Sequence, residues 1–169
     1  MATRSFIGIV EEDKIKGIYC HWDGYISHNG EILYKHYNNI DKIKELIELG
    51  GLSILAPNIH PNKDKVHNFE NYQDDVVVAY HRDRGEDKEI LIFNNAKEIK
   101  DYIKNIWIDY TYIFKDNEWY VVENIDDNNM KFYKLSDLID KKKLEDCKYI
   151  EYNMKAITNE WYFYKSLFN

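Results

Sequence analysis

The stretch RSFIGIVEEDKIKGIYCHW, residues 4–22, decides the fold. In its first half Phe6 and Val10 share one face of an extended chain while Ile7 and Ile9 share the other, the pattern of a strand covered on both sides. Glu11, Glu12 and Asp13 interrupt the apolar run before Ile15, Ile18, Tyr19 and Trp22 resume it. The two halves are therefore expected to pair as an antiparallel hairpin. Gly8 and Gly17 fall where a close backbone approach or a bulge would sit.

Outward from this hairpin the period changes. Leu33, His36 and Tyr37 can share a helix face within Gly30 to Tyr37. Asn38 or Asn39 then caps a second helix carrying Ile40, Ile43, Leu46 and Ile47, which Gly50 and Gly51 end. The segment from Pro57 to Asn71 has no periodicity and reads as a surface loop. Val76 to Tyr80 and Glu89 to Phe93 are expected strands around a charged turn at His81 to Lys88. Asn95 with Glu98 predicts a capped helix through Ile99, Tyr102, Ile103 and Ile106. Alternation from Ile108 to Phe114, a turn at Lys115 to Glu118 and the run Trp119 to Glu123 predict a second hairpin. Met130 to Tyr133 adds a strand, Lys134 to Leu144 a short helix whose Lys141 to Lys143 run is solvated, and Trp161, Phe163 and Phe168 are expected to close the end of the domain. The expected architecture is α+β: an antiparallel sheet covered by helices in one compact domain over residues 1–169.

Composition narrows the function classes. The 169 residues, 44% of them hydrophobic, are enough for one sizeable core. Thirty acidic against 23 basic residues give a net charge of −7, which argues against direct nucleic-acid binding through the phosphate backbone. It is also modest for acidic mimicry of nucleic acid, with lysines interspersed throughout. No apolar run approaches the roughly 20 residues that span a bilayer. Cys20 and Cys147 are too few for a disulfide scaffold, and no apolar signal segment opens the chain, so a reducing cytoplasm is expected.

The densest polar-aromatic region is Cys20-His21-Trp22-Asp23-Gly24-Tyr25, extended by Ser27-His28-Asn29-Gly30. His21 can exchange a proton near neutral pH, Asp23 can orient it, and Trp22 or Tyr25 can stack on a planar ligand. A purely structural corner of aromatic and hydrogen-bonding groups explains the same residues. Arg4 is one of three arginines and could clamp a phosphate or carboxylate. Arg82 and Arg84, in His81-Arg82-Asp83-Arg84-Gly85-Glu86, form a second candidate anion contact, with surface ion pairing as the alternative in each case. Cys20 and His21 are adjacent on a strand and point to opposite faces, so Cys20 is expected to pack. The spacing of His21, Asp23 and His28 matches no zinc rule, His60 and His67 do not strengthen it, and no metal site is expected. Neither a phosphate loop, a dinucleotide fingerprint nor a serine elbow occurs, so no cofactor and no assigned catalytic residue follows. The discriminating geometry is whether Arg4, His21, Trp22, Asp23, Tyr25 and either Arg82 or Arg84 line one open cavity.

Met1-Ala2-Thr3-Arg4-Ser5, the block Gly17 to Tyr25, the helix leading to Leu49-Gly50 and the Phe114 to Trp119 hairpin resemble a family of small uncharacterised proteins of bacteriophages, prophages and plasmids. The specific pattern covers the first 50 residues. The resemblance implies a cytoplasmic accessory protein of an infected host bacterial cell, with host–virus interaction or anti-defence as the setting, and it carries no activity onto named residues. The leading expectation is non-catalytic interference, by binding a host macromolecule or by holding an anionic signalling molecule. The alternative is a small nuclease or phosphodiesterase using His21 and Asp23 with Arg4. A homodimer is compatible with the sequence and not demanded by it.

Overall fold

The computed structural model describes residues 1–124, 126–140, 143–154 and 162–164. Strands β1 (Ser5–Glu11) and β2 (Lys14–Trp22) form the expected antiparallel hairpin, with Gly8 opposite Gly17. Glu12 and Asp13 turn the chain at φ 50° and 62°, the left-handed pair that matches the twist of flanking strands. The glycines mark a close approach rather than a bulge. A Cβ on Gly17 would lie 2.5 Å from Cζ of Phe6, so only hydrogen fits under that ring.

After a single π-helical turn (Ile26–Gly30) come α1 (Glu31–His36) and α2 (Ile40–Glu48), the latter capped by Asn39, whose side chain accepts from the Asp41 N–H at 2.8 Å. Next are β3 (Leu52–Ile54), β4 (Val78–Ala79), α3 (Tyr80–Arg84), β5 (Leu91–Phe93) and α4 (Ala96–Ile106). Asn95 caps α4 by accepting from the Glu98 N–H at 2.9 Å; Glu98 reaches back one residue further than expected, to the Asn94 N–H at 2.7 Å. The remainder is β6 (Tyr110–Lys115), β7 (Glu118–Asn124), β8 (Asn129–Lys134), α5 (Leu135–Ile139), β9 (Tyr149–Asn153) and β10 (Tyr162–Tyr164).

The described strands make one sheet in the order β10-β9-β8-β7-β6-β1-β2-β3-β4, with β5 pairing on β2. The α+β class stands, but the sheet is mixed, not antiparallel: β1 runs parallel to β6, and β2 parallel to β3. The physical reason is connectivity. Hairpins betray themselves through adjacent turns, whereas β2 and β3 are joined through α1 and α2, the kind of long helical crossover that parallel neighbours require. Two further expectations change locally. Of the expected Val76 to Tyr80 strand, Val78–Ala79 pair with β3 and Val76 makes an isolated parallel bridge to Asn58, while the neighbouring Tyr80–Arg84 is helical instead of a turn, closed by Gly85 at φ 75°. The helix expected to Leu144 stops at Ile139. Trp161 and Phe168 lie outside the described residues, and Phe163 falls within β10.

Each face of the hairpin enters its own core. Ile7, Ile9, Ile18 and Cys20 share a buried cluster with Leu33 of α1 and Ile43, Leu46 and Ile47 of α2. On the other face Phe6, Ile15 and Ile113 pack with Phe93, Ala96 and Ile99. Among the described residues no helix is long and apolar enough to cross a membrane.

Candidate functional site

Strand alternation sends Tyr19 and His21 to the α4 side of β2, opposite Ile18 and Cys20. The Phe6, Phe93 and Tyr102 rings pack against one another on that side. Next to them the surface stays open as a cleft of about 520 Å³, lined by Arg4, Tyr19, Tyr80, Arg84, Glu86 and Tyr102 among others. Residues from the first strand's edge, β2, α3 and the end of α4 thus meet at one place.

Arg4 and Arg84 converge there from 80 positions apart in the chain. Arg4 is anchored: its backbone N–H donates to Asp109 Oδ2 at 2.9 Å, and its Nη1 donates to the Ile106 carbonyl at 2.8 Å. Among the described residues that is the only side-chain hydrogen bond of Arg4, one of the five N–H groups a guanidinium carries. Arg84 lies over the rings of Phe69 and Tyr80, its central carbon 4.0 and 5.0 Å from their centroids, and pairs with Glu86 at 2.6 Å. Both partners of that pair are about half exposed, so the bond is exchangeable.

His21 does not line the cleft and is joined to it through Tyr19. Its Nδ1 shares a 2.6 Å hydrogen bond with the Tyr19 hydroxyl. Burial, reinforced by the charge of Arg4, pushes His21 below its ordinary value of 6.5 and keeps it neutral at physiological pH. Burial raises Tyr19, with Tyr80 and Cys20 acting in the same direction and Arg4 against them, so Tyr19 remains a phenol. Burial likewise raises Tyr80 and Tyr102, Glu89 adding to the effect on Tyr102. The cleft therefore presents two guanidinium groups and three neutral phenols, beside the exposed carboxylates of Glu86, Asp87 and Glu89.

The other expected site residues separate from this cluster. Arg82, two positions before Arg84, is spent on structure. It donates to the carbonyls of Ile59 and Val77 at 2.6 Å each and to both carboxylate oxygens of Asp83 at 2.9 and 3.0 Å. His67 joins this network, donating through Nε2 to the Val77 carbonyl and accepting at Nδ1 from the Gln73 N–H. Burial opposes the ionisation of Asp83, yet Arg82 and the Ala79 N–H hold its carboxyl below the usual value. Together these bonds fasten the 57–77 segment to α3.

Trp22 is 41% exposed and edge-on to His21, and Asp23 is exposed. No hydrogen bond joins Asp23 to His21 among the described residues; the Asp23 carbonyl instead accepts from the Asn29 N–H and contacts His28 Nδ1 at 3.2 Å. His28 also bonds the Asn29 side chain, and the fully buried Asn29 donates to Ser5 Oγ and the Trp22 carbonyl. Tyr112 donates to the Gly24 carbonyl at 2.6 Å. This turn is thereby held rigid. Burial pushes the Cys20 thiol up to about 12, which makes it a packing group.

Tyr25 lines a second cleft, of about 600 Å³, with Thr3, Arg4, Asn105, Trp107 and Asp109. Arg4 lines both clefts. Sequence reading overlooked Tyr19 as a floor residue, Tyr80, Tyr102, Trp107 and the Glu86 to Glu89 rim. Tyr19 was the findable one, since it sits two residues before His21 on the same strand face. Among the described residues no group of three or more His, Cys, Asp or Glu converges to hold a metal ion. No protein-family model, no curated protein and no solved structure matches this chain.

Proposed function

We propose that the protein is a non-catalytic binder that holds a small anionic, aromatic molecule of the nucleotide class in the Arg4–Arg84 cleft. In the phage-associated setting that its sequence blocks suggest, such binding would withdraw a signalling nucleotide from a host process. The observation that carries the reading is the meeting of Arg4 and Arg84, distant in sequence, over a floor and walls of Tyr19, Tyr80 and Tyr102. Guanidinium groups recognise phosphate through directed N–H donors, and phenol rings offer flat apolar surface with a hydroxyl at the edge. A cleft of about 520 Å³ lies in the range used for small ligands. The pairing of His21 with Tyr19, and not with Asp23, favours binding over the acid–base dyad that a nuclease built on those two residues would use.

Titration calorimetry with a panel of nucleoside mono- and diphosphates tests the reading. Saturable binding is expected, weakened at least tenfold by Arg4→Ala and by Arg84→Ala. Glu86→Gln, which releases Arg84 from its carboxylate partner, is expected to tighten binding a few-fold. Absence of binding across the panel by folded protein would remove this proposal. Hydrolysis of a panel member, lost in His21→Ala with the fold retained, would instead support the nuclease or phosphodiesterase alternative.

A second reading has its own observation. The −7 net charge and the exposed Glu86, Asp87 and Glu89 suit a basic surface on a host protein. It predicts an association that reversing those three charges weakens and that nucleotides do not displace.

A further inference from the structure

Trp107 departs from two ordinary rules of folding. It ends α4 at φ 59°, a left-handed position where glycine is the usual residue, and it leaves its indole 73% exposed. Neither choice helps the fold. A glycine would relax the backbone, and a polar side chain would spare the contact between a large apolar surface and water. Both are accounted for if the indole is held out as a platform. It lines the second cleft with the half-exposed Tyr25 ring, and Arg4 is the residue this cleft shares with the first.

From this arrangement we infer that the ligand is a dinucleotide, with one base in each cleft and its phosphate linkage on Arg4. The inference rests on the nucleotide reading above and specifies its ligand. One base would lie among Tyr19, Tyr80 and Tyr102, the other against Trp107 and Tyr25, each on aromatic surface that stacks on any base. Arg4 is pre-positioned for the linkage, because Ile106, whose carbonyl holds its Nη1, directly precedes Trp107. The carboxylates, unwelcome beside a phosphate, take a role at the base edges. Asp109 in the second cleft and Glu89 in the first can accept hydrogen bonds from exocyclic amino groups, so amino-bearing bases are favoured over uracil.

The experiment compares adenosine 5′-monophosphate, the linear dinucleotide pApA, its cyclic form and pUpU on wild-type protein and on Trp107→Gly, by calorimetry and indole fluorescence. The glycine variant suits the left-handed backbone, so its thermal stability is expected to be unchanged or higher. In wild type, one of the two adenine dinucleotides is expected to bind at least tenfold tighter than the mononucleotide and than pUpU. Trp107→Gly should reduce that dinucleotide to the affinity of the mononucleotide and leave the mononucleotide unaffected. Mononucleotide binding with no dinucleotide advantage, or an advantage that survives Trp107→Gly, overturns the two-base inference and leaves the Arg4–Arg84 reading standing. Failure of every probe overturns the two-base inference, and failure of the wider mono- and diphosphate panel as well overturns both.

Discussion

The two faces of β2 are built from alternate residues of one short strand, and they end in opposite conditions. Ile18 and Cys20 are wholly buried in a cluster with α1 and α2. Tyr19 is only half-buried, and its hydroxyl is bound to His21 beside an open cleft. Arg82 and Arg84 repeat the contrast within one turn of helix: the first is consumed by two carbonyls and Asp83, while the second lies over aromatic rings with an exchangeable carboxylate. The lesson is that residue type alone does not distinguish a clamp from a site. The distinction lies in whether neighbouring elements use up the side chain's bonding capacity.

Mutations put this contrast to the test. On the sealed face, Ile18→Ala removes a fully buried side chain and is expected to cost roughly 3–4 kcal/mol in urea unfolding, as cavity-forming substitutions do. Next, Arg82→Ala strands Asp83, whose side chain is only 4% exposed, and should cost about 3 kcal/mol; Arg84→Ala should stay within about 0.5 kcal/mol. Equal losses for the two arginines would erase the distinction drawn between them. On the open face Tyr19→Phe keeps the ring and deletes one hydrogen bond, for an expected loss of about 1 kcal/mol.

The smallest effect is a pH dependence. Because the folded state depresses the pKa of His21, the unfolded chain binds the extra proton first as pH falls. The contribution of His21 is therefore fully present above the unfolded value of 6.5 and is lost as pH drops through the folded value. Thermal melts from pH 7.5 to 5 should show a shallower decline in His21→Gln than in wild type. An identical slope would mean that His21 is not held neutral by its surroundings.

Much of the fold was legible because its signals are local. Alternation around Glu12–Asp13 and around Asp116–Asn117 specified two hairpins, and the pair Asn38–Asn39 and Asn95 announced α2 and α4, with Asn39 making the first cap. The site was legible only in part. Arg4 and Arg84 were visible as candidates, but His21, Trp22, Asp23 and His28 lie near Arg4 or Tyr19 without lining the cleft, and Arg82 looked equivalent to Arg84 until its partners were known. Tyr80 and Tyr102 gave no signal, since tyrosines are abundant in this chain and most serve packing.

β3, α3 and β9, and the ends of β4 and α5, lay outside what residue order alone specified, which is the two hairpins and the capped helices α2 and α4 with the apolar face of each. These follow from side-chain period and backbone preference over a few residues. The parallel pairing of β1 with β6 and of β2 with β3, and with it the approach of Arg4 to Arg84, was decided only by the tertiary structure. Those contacts join segments separated by long loops and helices. Their energy comes from burial shared across the whole sheet, so no short window of residues encodes them.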